Sequence, residues 1–100
     1  MPAAFERTAS TYTGTGSAVT VTLGYKPTFV LIFNETDGDS VWFHINGMAD
    51  ASAATILDTG SGTTDLTFGT SNLVTLTSTG FTAGTSLSES GKTFRYFAIR

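Results

Sequence analysis

The 100-residue sequence contains no cysteine and one histidine, and only 13% of its residues are charged. The absence of cysteine excludes a disulfide scaffold, a thiolate metal site and a thiol nucleophile. Five basic residues against eight acidic ones leave a net charge of −3, so we expect no nucleic-acid partner. No apolar run approaches the roughly 18 residues of a membrane span, and the N-terminus lacks a signal-peptide pattern. We therefore expect synthesis in the cytoplasm, no membrane partner, no metal and no cofactor.

Hydroxyl side chains take the place of the missing charges, with 20 Thr and 10 Ser in the chain. They alternate with apolar residues at a period of two, as in Val19–Leu23, and this alternation predicts strands with one buried face. Thr28–Phe33 is apolar without alternation, which predicts a central strand buried on both faces. A polar turn separates it from Val41–Ile45, so these two segments predict a β-hairpin.

The whole chain contains about eight or nine such segments at a spacing of about 8–12 residues, and no helical pattern. This predicts an all-β fold, a single-domain antiparallel β-sandwich or jelly roll, with a small barrel as a further possibility. We expect residues 14–100 to form the β-sandwich domain. Residues 1–13 would be an N-terminal arm or first strand that contacts a partner.

The motif Asp58-Thr59-Gly60 follows the apolar segment Thr55–Leu57, as in aspartic proteases, where two such Asp residues share a proton. The apolar-apolar-Gly segment that supports such a loop is missing, because Leu73-Val74 is followed by Thr75. A hairpin turn explains Asp58 more simply.

His44 is the one imidazole that could act as a base, but a Ser–His pair also needs an acid and a positioned nucleophile. Asp37 and Asp39 lie in a polar turn that could hold an ion, although the order of ligands in a calcium loop is lacking. A surface or interface histidine and a solvated hairpin tip are the simpler interpretations. We therefore predict that the protein is not an enzyme, and a hydrolase using Asp58 or His44 is the hypothesis opposed to this.

Trp42 and the tyrosines could form a platform for sugar rings, or Trp42 could be buried or lie in an interface. The scarcity of charge is typical of surfaces that partners cover, because charged residues are depleted at interface centres. A threonine-rich β protein that stays soluble through its hydroxyl groups is the alternative interpretation.

The ordered series of motifs resembles small bacteriophage virion proteins. The front half of that pattern is carried by Gly24-Tyr25-Lys26-Pro27-x-Phe29-Val30, then Asn34-x-Thr36, Trp42 and Met48. The back half is carried by Gly80-Phe81-Thr82, Gly84 and Gly91-Lys92-Thr93-Phe94-x-Tyr96-x-Ala98.

The resemblance implies a non-enzymatic structural protein of the virion with a β-sandwich-like fold. We expect a capsid decoration (cement) protein that binds and stabilises the outer capsid surface. The alternative is a tail or head-fibre component that recognises host-surface glycans. The expected partners are the major capsid protein and other copies of this chain, in a homo-oligomer for which a trimer is favoured.

We expect partner contacts at Phe5, Glu6, Arg7 and Trp42. Structural turns are expected at Gly24, Pro27, Gly80, Gly84 and Gly91. Gly24 and Pro27 would turn the chain into the central strand, Gly80 and Gly84 would permit tight bends around Phe81, and Gly91 would serve the last hairpin.

Overall fold

The computed structural model describes residues 6–38, 41–58 and 64–100. These residues form eight β-strands and one 3₁₀ turn, Thr85–Leu87, without an α-helix. The strands are β1 (Arg7–Thr13), β2 (Val19–Thr22), β3 (Phe29–Asn34), β4 (Val41–Ile45), β5 (Ser52–Asp58), β6 (Thr64–Thr77), β7 (Gly80–Ala83) and β8 (Thr93–Ile99). The prediction of a single all-β antiparallel domain is confirmed.

All eight strands belong to one antiparallel sheet with the order β1-β8-β3-β4-β5-β6-β7-β2. The sheet curls until it is nearly closed into a barrel. Strand β3 pairs with β8 on one side and β4 on the other, so the continuous apolar segment does form an internal strand. The predicted hairpin of β3 and β4 is also present.

The hydrophobic core lies on the inner side of this curled sheet. Phe81, Ile32, Val30, Val74 and Leu87 are fully buried there. Strands from distant positions in the sheet order meet at this core, because the Phe81 ring on β7 packs edge-on against Tyr96 on β8 with centroids 5.3 Å apart. Burial of these side chains therefore stabilises the curl of the sheet.

Strand β1 is part of the domain's own sheet rather than a free arm. It pairs with β8 over its whole length, from Arg7 opposite Ile99 to Thr13 opposite Thr93. The Tyr12 hydroxyl donates a hydrogen bond of 2.8 Å to the carbonyl oxygen of Leu87, and burial raises the pKa of this phenol. Residues 7–13 thus take the first-strand alternative of the two that the sequence left open.

Strand β6 changes partners along its length, pairing first with β5 and then with β7. Ser52 lies opposite Val74 and Ala53 opposite Gly69, which leaves residues 70–73 outside the ladder as a large bulge. The backbone carbonyl of Leu73 in this bulge accepts a 2.6 Å hydrogen bond from the amide of Gly84. The sequence predicts two separate segments here, one in which Leu66 and Phe68 alternate with polar residues and one at Leu73–Thr77, and the structure joins them in one long bent strand.

Gly24 and Gly91 lie in turns with φ of 88° and 79°, the left-handed region that suits glycine. Pro27 is fully buried just before β3. The predicted tight bends are not the reason for glycine at positions 80 and 84. Gly80 lies within β7, where a Cβ atom would overlap the backbone of Val21. At Gly84 a Cβ atom would overlap the backbone of Asn72.

We predict that Gly84→Ala will lower the free energy of unfolding by about 1–3 kcal/mol or more, because the added methyl must push the bulge backbone aside. Gly38→Ala is the matched control, since Gly38 has a φ of 71° but open space around it. The control should cost only about 1–2 kcal/mol for its left-handed backbone. Urea unfolding of both variants measures the difference, and a Gly84 variant no less stable than the control would contradict the packing argument.

Candidate interaction surface

The strand register assigns each side chain to the inner or outer side of the sheet, because residues directly opposite one another in antiparallel strands point the same way. Tyr96, Ile32 and Trp42 are opposite one another and form an inner row that joins the core. The next row points outward and crosses six strands. Its members are Ala9, Phe97, Leu31, Phe43, Ala54 and Phe68.

The outer side of this part of the sheet is apolar, and we call it the outer apolar face. Flanking outward rows add Ile99, Phe29 and Ile45 on one side, and Phe33 and Val41 on the other. The face comprises Phe29, Leu31, Phe33, Val41, Phe43, Ile45, Leu66, Phe68, Phe97 and Ile99. Strands β3, β4 and β8 are therefore apolar on both sides, although only their inner side is covered by the core.

Four members of this face are largely open to solvent, with Val41 41%, Ile45 48%, Phe68 52% and Leu66 70% exposed. Strand β4 pairs with β5 only at Phe43–Ala54 and the adjacent Trp42–Thr55. The hairpin of β5 and β6 therefore extends past the end of β4, and this leaves Leu66 the most exposed member of the face. Contiguous apolar exposure of this kind marks an interaction surface, unlike single scattered apolar residues.

At the other end of the same sheet, the outward-facing residues are mostly threonines. On β2, β7 and the second half of β6, Thr20, Thr82 and Thr75 lie opposite one another, and so do Thr22 and Gly80. Their strand neighbours on the inner side are core residues such as Val21 and Phe81, so this threonine row points outward. Threonine thus occupies outward positions on one end of the sheet, while Phe, Leu, Ile and Val occupy them on the other.

An ion pair lies at one end of the outer apolar face. The Arg95 Nε donates to the Glu35 carboxylate at 2.5 Å, and both side chains are exposed. This hydrogen bond lowers the pKa of Glu35 and raises the pKa of Arg95. The two charges neutralise each other, so the ion pair adds no net charge to the face.

The expected partner residues fall in different places. Phe5 lies outside the described residues. Glu6 pairs with Arg100 at 2.5 Å, and Arg7 is exposed at the start of β1. Trp42 packs against the core from the inner side and is only partly exposed, which does not favour a role in partner contact or sugar stacking.

His44 is 1% exposed, and its Nδ1 donates a 2.7 Å hydrogen bond to the carbonyl oxygen of Ser52. Its contacts are therefore those of a core histidine that joins β4 to β5, rather than of a surface or interface residue. Asp37 is held by Lys92 at 3.1 Å and by the Asn34 amide at 3.0 Å, while Asp39 lies outside the described residues. Asp58 ends β5, and the remainder of its motif lies outside the described residues.

Within residues 6–38, 41–58 and 64–100, no group of three or more His, Cys, Asp or Glu residues could hold a metal ion. The described part of the chain also has no helix of the length and hydropathy needed to cross a membrane. No protein-family model matches the chain, and no curated protein or solved structure matches it.

The outer apolar face was not identified from the sequence, although its signal is there. Alternation predicts one buried side per strand, and the apolar run Thr28–Phe33 predicts a strand buried on both faces. That prediction is wrong for the outer side of β3, where Phe29, Leu31 and Phe33 are partly exposed. In a single curled sheet only one side can face the core.

We predict that His44→Leu will lower the free energy of unfolding by about 1–3 kcal/mol, because the Ser52 carbonyl would stay buried without its donor. Chemical denaturation measures this. Thr20→Val is the control at an exposed strand position and should change stability by less than about 0.5 kcal/mol. Unchanged stability of the His44 variant would contradict a structural role.

Proposed function

We propose that this chain is a non-enzymatic structural protein of a bacteriophage particle, a decoration protein that binds the outer surface of the capsid and stabilises it. The observation that carries the proposal is the division of the outer sheet surface into an apolar end and a threonine end. A subunit of an assembly needs this division, since part of its surface is covered and part remains in solvent. The phage partner itself rests on the resemblance of the motif series.

The mechanism is mass action. A protein that binds the assembled shell, but not its separated subunits, shifts the equilibrium toward the shell. The partners would be the major capsid protein and further copies of this chain, and the protein would reside in the virion.

The N-terminal segment is the proposed contact with the capsid protein. It enters the sheet at β1, an end strand with one pairing partner among the described strands. Arg7 is exposed there, and Glu6 is held at the sheet end by its ion pair with Arg100. Phe5 and the residues before it would extend this contact to the shell.

A tail or head-fibre component that recognises glycans is the alternative. Its aromatic platform would need Trp42, and the placement of Trp42 against the core gives this alternative no support. The capsid-binding experiment below also tests a tail position without glycan binding.

We predict that the protein will co-sediment with purified phage capsids at a fixed ratio of subunits and will raise the temperature at which the shells open. A variant lacking residues 1–5 should lose most of this binding, because β1 remains but the proposed contact is removed. Arg7→Ala should weaken binding by about 1–2 kcal/mol, which is more than most interface residues contribute and less than a hot spot does.

Thr20→Ala, on the threonine end of the sheet, is the control and should bind as the unchanged protein does. Circular dichroism of each variant confirms that the sheet is intact. A folded protein that ignores capsids would contradict the decoration function and favour a tail or fibre position. Full binding without residues 1–5 would contradict the proposed contact alone.

A further inference from the structure

We propose that the outer apolar face binds the same face of a second copy of this chain in a two-fold dimer. The axis lies in the plane between the two facing sheets, parallel to the strands and above the boundary between β3 and β4. Two sheets commonly pack face to face at about 10 Å separation in this way. The proposal rests on the proposed function in that it names the occupant of the same apolar end, and the experiment uses the chain without capsids, so that failure of the dimer and failure of capsid binding are distinguished.

The first argument is charge. The central outward row carries no charged side chain from Ala9 to Phe68, and at one end of the face Arg95 is already paired with Glu35. A surface that meets its own copy must not repel itself. Arg7 is exposed at the edge of the face, opposite Ile99 on β8, and the proposed axis places it at least about 24 Å from Arg7 of the second copy. A face that is neutral at its centre and whose edge charges stay apart therefore satisfies this condition.

The second argument is shape. An axis between β3 and β4 places the central outward row of one copy over the reversed row of the other. Leu31 then lies over Phe43 of the second copy, and Phe97 lies over its Ala54. In the same register Ala9 lies over Phe68. Two of the large aromatic rings are thus placed opposite alanines, which lets the two layers interdigitate.

The third argument is area. The central outward row spans six strands at about 4.8 Å spacing, and the flanking rows at about 7 Å spacing are apolar mainly on β3 and β4, so the footprint is at most about 500 Å² with its side-chain margins. Stable interfaces bury about 600–1,000 Å² on each partner. The footprint lies below that range, in the class of weak and transient contacts. Because the outer side of a curled sheet is convex, the closest contacts fall on β8, β3, β4 and β5, and the dimer should dissociate on dilution.

The experiment is sedimentation equilibrium and light scattering of the chain without capsids, over a wide range of concentration. We expect twice the 10.5 kDa chain mass at high concentration. Leu31→Glu and Phe43→Lys should each weaken the dimer by more than about 100-fold, because each leaves two unpaired charges in the contact. Thr20→Lys introduces a charge at an exposed position of the threonine end and should leave the dimer unchanged.

Mixing the two charged variants distinguishes the proposed axis from other arrangements. If Leu31 of one copy faces Phe43 of the other, the Glu and Lys side chains meet and a one-to-one heterodimer forms. An axis across the strands would place Leu31 on Leu31 and give no such restoration. Restoration also shows that both variants are folded.

A monomer at all concentrations, a trimer, or a dimer that neither substitution weakens would overturn the proposal. A heterodimer that fails to form from two folded monomeric variants would overturn the axis. The same monomeric variants can be added to capsids, so loss of the dimer and loss of capsid binding are measured separately.

Discussion

The pairing of β3 with β8 and β4 determines both which side chains enter the core and which form the outer apolar face. Antiparallel partners share a side, and neighbours along a strand point to opposite sides. Once Val30 and Ile32 are buried against Tyr96, the residues between them must point outward with Phe97 and Phe43. A single sheet curled around one core has no second layer to cover this outer side. The exposed apolar face therefore follows from the burial of the core and the composition of these three strands.

The threonine end of the sheet shows that this exposure is not a general property of the chain. Where β2 and β7 bury Val21 and Phe81, the outward positions carry Thr20, Thr82 and Thr22. A β-branched hydroxyl residue suits a strand and hydrogen-bonds with water, so it stabilises the sheet without attracting a partner. The same solution was open to β3, β4 and β8 and is not used there. The difference between the two ends is the physical reason to regard the apolar end as a contact surface.

The sequence predicts the strands well because strand signals are local: Val19–Leu23 shows a period of two, and the polar turn before Val41–Ile45 indicates a hairpin. It does not predict the strand order, since the pairing of β1 with β8 joins residues at opposite ends of the chain. Nor does it predict the bulge at residues 70–73, because Gly84, more than ten residues further along the chain, lets the two backbones approach there. The outer apolar face required the register of six strands, so alternation within each strand could not reveal it.

The two proposed contacts are compatible in space. The first described residues of β1 lie at the end of the strand order, away from the proposed axis between β3 and β4. An axis parallel to the strands reverses the order of strands in the second copy but keeps their direction. The Arg7 ends of the two β1 strands would therefore lie at the same end of the dimer, separated by at least about 24 Å. Two weak contacts on one surface bind with far greater avidity than one, because the second association is intramolecular. Self-association through the outer apolar face would thus strengthen attachment through the N-terminal segment, although neither contact requires the other.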